Sequence, residues 1–111
     1  MIETRPWGYY EILYSSNGYQ VKKLYIEPKR RISYQRHKHR SEHWFIVSGC
    51  PLVTLNGHPQ VMAPGQSIDI PVGVSHRLEA GNLPVELIEV QTGDFLDESD
   101  IERLEDDYGR N

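Results

Sequence analysis

The chain has 111 residues, 38% of them hydrophobic and 25% charged, with a formal net charge of −4. That length can bury one core without disulfide or metal staples, and it leaves no room for a nucleotide-binding domain beside a second catalytic one. Nine Gly and seven Pro favour many short elements over a long helical bundle.

In chain order, alternating or β-rich segments run over Tyr9–Tyr14, Tyr19–Ile26, Ile32–His37, Glu42–Val47, Leu52–Leu55, Ser67–Ile70, His76–Leu78 and Val85–Gln91. Turn signals separate most of them: Asn17-Gly18, Pro28-Lys29, Ser48-Gly49, Asn56-Gly57, Pro64-Gly65, Pro71-Val72-Gly73 and Gly81-Asn82. Asn56-Gly57 after an apolar strand predicts a type I′ hairpin. Short strands punctuated this often predict an all-β sandwich or barrel. The end of the chain reads differently. Ser99 is placed to cap a short helix through Leu104, with Glu102 three residues on completing a capping box. The expected organisation is a single domain, a barrel over about residues 5–93 followed by an acidic tail over 94–111.

Charge is unevenly shared. Residues 94–111 hold eight acids against Arg103 and Arg110, whereas eight of the twelve bases lie between Lys22 and Arg40. A basic stretch of that kind can meet phosphate groups or protect a strand edge. The acidic whole argues against a nucleic-acid partner. No apolar run approaches the ~20 residues of a membrane span, and from the polar start at Met1 no signal peptide is expected. With a single cysteine, Cys50, the expected compartment is the reducing cytoplasm.

The residues able to carry chemistry cluster. His37, His39 and His43 fall close together, and His76 follows a Pro-x-Gly turn. Gln35 and His37 are two apart, so their side chains share a face of one strand. Glu42 opens the next strand and His76 a later one. Such a mixed nitrogen and oxygen set suits Zn²⁺, Fe²⁺, Mn²⁺, Co²⁺ or Ni²⁺. His43 is out of phase with Glu42 and is expected to face outward. Trp7 and Trp44 read as core or dimer-face aromatics.

These positions resemble the two cupin motifs, G-x5-H-x-H-x4-E-x6-G and G-x5-P-x-G-x2-H-x3-N. Gly65, Pro71, Gly73 and His76 fit the second, with Ala80 in place of its final Asn. Lys29, Gln35, His37, Glu42 and Gly49 fit the first, with Lys29 replacing a turn glycine and Gln35 the first histidine. The runs Arg5-Pro6-Trp7-Gly8, Tyr19-Gln20-Val21-Lys22, His39-Arg40-Ser41-Glu42-His43-Trp44, Leu87-Ile88-Glu89-Val90-Gln91 and Glu105-Asp106-Asp107-Tyr108-Gly109-Arg110 narrow the likeness. They resemble the C-terminal isomerase domain of bifunctional mannose-1-phosphate guanylyltransferase/mannose-6-phosphate isomerases.

The resemblance implies a cupin (jelly-roll) barrel that interconverts mannose 6-phosphate and fructose 6-phosphate through a cis-enediol. It implies one divalent metal, zinc first, on Gln35, His37, Glu42 and His76. The reaction needs a base, oxyanion stabilisation and cations for the phosphate. Glu89 leads as base, with His39 behind it. Lys22, Arg40 and Arg77 are the phosphate candidates, and Gln91 shares the strand face of Glu89. Asp106-Asp107 are expected to lie as a solvated tail or to dock against Arg5. The expected partners are a small phosphosugar and a second copy of the chain as a homodimer, with no nucleic acid and no membrane. The expected alternative is a non-catalytic sugar-phosphate-binding or regulatory cupin acting with a separate guanylyltransferase. A small metal dioxygenase shares the fold, but Gln35 weakens it. Guanylyltransferase activity is not expected at this length.

Overall fold

A computed structural model describes residues 1–111, and every regular element in it is a strand. In chain order these are β1 (Ile2–Arg5), β2 (Gly8–Ser16), β3 (Tyr19–Ile26), β4 (Tyr34–Arg36), β5 (Arg40–Ser48) and β6 (Leu52–Leu55). They continue as β7 (His58–Val61), β8 (Ser67–Ile70), β9 (His76–Glu79), β10 (Val85–Gly93) and β11 (Glu102–Glu105). Two antiparallel sheets face each other, ordered β1-β2-β3-β10-β5-β8 and β11-β4-β9-β6-β7. No helix of the chain is long and apolar enough to cross a membrane.

Side-chain alternation decides what faces inward, and the inward rows change character along the strands. On β10 the buried row runs Val85, Leu87, Glu89, Gln91. Register pairs Val85 with Ile26 and Leu87 with Leu24 and Ile46. Two residues further on, Glu89 stands beside Lys22 and Trp44, and Gln91 beside Glu42. One end of the interior is therefore an apolar core that includes Ile26, Ile46, Val53, Leu78, Val85 and Leu87. The other end holds buried Lys22, His37, Arg40, Glu42, His76, Glu89 and Gln91. Burying that many polar groups is costly unless they pair or bind something, so the fold itself marks the site.

The turns follow the sequence signals. Asn56 and Gly57 take positive φ of 50° and 79°, closing the β6–β7 hairpin. Lys29 adopts a left-handed φ of 63°, the conformation a turn glycine would take without steric cost. Gly49 is obligatory for a second reason: at φ 87° an added Cβ would lie 2.4 Å from the Pro84 carbonyl oxygen.

The tail corrects the helical expectation. Residues around Ser99 form no helix, and Glu102–Glu105 pair as β11 against β4. The Ser99 N–H is taken by Asp97 Oδ1 at 2.8 Å, and the Asp100 carboxylate accepts the backbone N–H groups of Lys38 and His39, both at 2.9 Å. So short a run has little helical stability of its own, and local side-chain bonds with strand pairing outcompete the capping box. Asp106 and Asp107 do not dock on Arg5 either. Asp107 forms a two-pronged pair with Arg31 at 2.6 and 2.8 Å, and Asp106 one with Arg110 at 2.8 and 2.9 Å.

Candidate metal centre and cavity

Three elements bring His37, Glu42 and His76 together at the polar end. His37 follows β4, Glu42 lies on β5 and His76 opens β9. Their donor atoms all lie within 4.8 Å of one another, and all three residues are buried. His37 Nε2 is 3.1 Å and His76 Nε2 3.5 Å from the Glu42 carboxylate.

The opposite ring nitrogens fix the tautomers. His37 Nδ1 donates to the Asp100 carbonyl at 2.6 Å, and His76 Nδ1 donates to the Val74 carbonyl at 2.9 Å. A neutral imidazole that donates through Nδ1 keeps its lone pair on Nε2. Two such lone pairs then face one carboxylate, an arrangement that repels unless a cation lies between them. The His76 Nε2 is buried without a hydrogen-bond partner. Two imidazoles and a carboxylate, each oriented from behind, fit a divalent metal, and this triad could hold one. In the metal-free protein burial works to raise the Glu42 carboxyl, whereas His37 and His76, once protonated at Nε2 and so able to face it as cations, hold it well below the usual range.

Glu89 sits next to this cluster. Trp44 Nε1 donates to both Glu42 Oε1, at 3.2 Å, and Glu89 Oε2, at 3.0 Å. Gln91 Nε2 donates to the other Glu89 oxygen at 2.8 Å, leaving the Gln91 carbonyl oxygen buried and unpartnered. Burial, reinforced by the Glu42 charge, pushes the Glu89 carboxyl up to about 8, against the pull of Lys22 and Arg40. One carboxylate of the pair is thus strongly acidic and the other holds its proton near neutrality, the divergence expected of groups with different roles.

Glu89, Gln91 and Trp44 open onto a cavity of about 60 Å³ that Gln35, Lys22 and Arg40 also line. Gln35 lies opposite His76 in register, and its Oε1 accepts from the Ser33 hydroxyl at 2.6 Å. The Lys22 ammonium lies 4.3 Å from the centre of the Tyr10 ring and bonds Glu98 at 2.7 Å. Arg40 binds Glu42 at 2.9 Å.

Two sequence candidates stand elsewhere. His39 is exposed, its ring packed edge-on against Phe95 at 5.6 Å, because Asp100 fixes its backbone outside the interior. Arg77 alternates away from His76 into the gap under β11. It donates to the Ile32 carbonyl at 3.2 Å and to Glu105 at 3.1 and 3.2 Å, anchoring the tail without reaching the cavity. His43 faces outward as expected and meets Asp69 at 2.5 Å.

Sequence reasoning overlooked several site residues. Trp44 is fully buried but serves as a shared donor as well as packing. Asp100 and Glu98 reach in from the tail, and Arg5, Arg103 and Arg110 line the cavity. The only signal for these arginines is their place in the Arg5–Gly8 and Glu105–Arg110 runs; nothing local says that the tail crosses the barrel mouth.

Residues 2–106 match the family described as mannose-6-phosphate isomerase C-terminal. The mannose-1-phosphate guanylyltransferase ManC of Salmonella typhimurium is 45% identical over 107 residues, which are 96% of this chain and 22% of ManC. The xanthan biosynthesis protein XanB of Xanthomonas campestris is 48% identical over 107 residues, 96% of this chain and 23% of XanB. The chain thus spans under a quarter of the length of these curated relatives. Among solved structures, the cupin domain of Schizosaccharomyces pombe Cnp3 superposes with a TM-score of 0.74 at 17% identity. That match covers 78% of this chain and 64% of the other, and it identifies the fold as a cupin barrel.

Proposed function

The chain belongs to the mannose-6-phosphate isomerase C-terminal family, and from that premise we propose that it interconverts mannose 6-phosphate and fructose 6-phosphate with a divalent metal, zinc first. The observation that carries this reading is the indole N–H of Trp44 shared between Glu42 and Glu89. It sets a buried, proton-holding carboxyl beside the metal-competent triad and open to a cavity.

Aldose–ketose isomerisation moves one proton between C2 and C1 and another between the two oxygens. Glu89 takes the C2 proton and returns it to C1, the barrel wall keeping it from bulk water between the two transfers. Trp44 and Gln91 each donate to one of its oxygens and so hold the carboxylate in one orientation. His37, Glu42 and His76 would hold the metal, with Gln35 beside them at the cavity. A bound divalent ion supplies Lewis acidity for the charge that develops on the sugar oxygens. Glu89 acts as base in its ionised form, which Lys22 and Arg40 favour against the burial that holds its proton.

The test is turnover of mannose 6-phosphate before chelation, after chelation, and after reloading with Zn²⁺, Mn²⁺, Co²⁺, Ni²⁺ or Fe²⁺. Loss on chelation and return on reloading is the expected result. A folded, metal-loaded protein that binds the sugar phosphate without converting it would overturn the isomerase reading. It would leave a sugar-phosphate-binding cupin in GDP-mannose and polysaccharide synthesis, the reading suited to relatives named as guanylyltransferases.

A further inference from the structure

We propose that Arg103, flanked by Arg5 and Arg110, is the anchor for a phosphate group at the cavity mouth, and that the tail exists in this position to supply it. The claim rests on the sugar-phosphate reading only for the organic part of the ligand.

Most cations around the cavity are already matched. Lys22 is bonded to Glu98 at 2.7 Å. Arg40 is paired with Glu42 at 2.9 Å and lies 3.6 Å from Glu98. Arg110 makes its two-pronged pair with Asp106. Arg5 has a carboxylate only at 3.8 Å, on Glu3. Its hydrogen bonds go to neutral oxygens, the Thr4 carbonyl at 2.9 Å and the Tyr10 hydroxyl at 3.3 Å. Arg103 stands apart from all of these. Its Nε is buried with no hydrogen-bond partner, although a charged donor removed from water is costly to leave unmet.

Arg103, Arg110 and Arg5 line the same cavity. Burial and the positive charge of Arg110, with a smaller push from Arg5, outweigh the opposing pull of Asp106 and Glu98 and take the Arg103 guanidinium below its ordinary value. Like charges crowd there without a full set of anions. A phosphate monoester brings two negative charges and several acceptor oxygens, and planar guanidinium forks match them better than an ammonium does.

Register ties this anchor to the metal cluster. Arg103 on β11 pairs with Gln35 on β4, and Gln35 pairs with His76 on β9. Directly paired residues point to one face of a sheet, so the three form a row across neighbouring strands. The row spans two strand spacings, about 10 Å, a scale that lets one phosphorylated sugar reach from the anchor to the triad.

Calorimetric titration of the full metal-loaded chain tests this, with mannose 6-phosphate, inorganic phosphate and unphosphorylated mannose as probes. Arg103→Met should weaken both phosphate-bearing probes by about tenfold or more. Metal affinity should stay unchanged, and Arg103→Lys should recover part of the loss by restoring a point charge without the fork. Lys23→Met removes a positive charge from the outer surface and should leave phosphate binding within about twofold. If Arg103→Met does not fold, Arg5→Met gives the same reading. Phosphate affinity equal to the parent's in a folded Arg103→Met protein overturns the anchor, as does equal loss in Lys23→Met or a parent that binds neither phosphate probe. A parent that binds mannose 6-phosphate but does not convert it defeats the isomerase reading, and loss of that binding in Arg103→Met still supports the anchor. A parent that turns over with KM unchanged in Arg103→Met defeats the anchor alone.

Discussion

The backbone carbonyl of Asp100 accepts the Nδ1 proton of His37 at 2.6 Å, so a residue of the acidic tail orients a ligand-competent histidine of the barrel. The same residue clamps the chain on the far side of His37 through the Lys38 and His39 N–H groups. The tail is therefore part of the site. Asp100→Ala removes the clamp while keeping the carbonyl. Divalent metal affinity should fall by about tenfold, the lower end of outer-shell effects. Competition with a chromophoric chelator measures it, and a variant with parental affinity would separate the tail from the metal.

His76 offers a sharper test. Its Nε2 has no protein partner, and its Nδ1 is held by Val74, so the free nitrogen has no evident structural duty. His76→Gln should lower metal affinity by more than about a hundredfold, beyond the range of outer-shell changes. The metal-free variant should unfold close to the metal-free parent. The same chelator competition and a thermal melt in excess chelator read the two halves.

The two motifs were legible because each ties its residues to local turns. Lys29 adopts the left-handed φ expected of the glycine it replaces, which fixes the strand register that brings Gln35 and His37 to the site. Alternation then correctly turns His43 outward, and the same rule takes Arg77, named among the phosphate candidates, away from the interior row and onto Glu105. Three things escaped local reading. The strand β11 depends on pairing with β4 more than sixty residues earlier, and no periodicity in so short a run announces that. Lys22 lies beside Glu89 in register, yet its ammonium bonds Glu98, a choice set by the tail's path. The arginines at the mouth were hidden for the same reason, since they converge only once the chain end has crossed the barrel.

Glu89 carries a pH signature with a definite sign in the metal-free protein. Its folded carboxyl is raised to about 8 by burial and by the Glu42 charge, from an ordinary value of 4.5. The unfolded chain releases this proton near 4.5, so Glu89 erodes folded stability as pH climbs from there to about 8. Glu89→Gln removes that slope. Relative to the parent, the variant should gain stability between pH 5 and 8, measured by urea unfolding in chelator. Difference infrared spectra should also lose a protonated-carboxyl band that the parent retains at neutral pH. In the metal-loaded enzyme, kcat should fall by about a hundredfold to ten-thousandfold, the range for a lost general base.

Asp106 gives the opposite dependence. Hydrogen bonds from Arg110 lower its carboxyl from 3.8 to about 2, outweighing burial, and its side chain is wholly shielded from solvent. A carboxyl lowered on folding contributes stability that is present above pH 4 and disappears as pH falls through about 2. Asp106→Asn should therefore cost about 1–2 kcal/mol at pH 7 and almost nothing near pH 2. Urea unfolding at the two pH values tests it. An equal cost at both would mean that Asp106 acts by packing, and that the Arg110 pair does not fasten the end of the tail that carries Arg103.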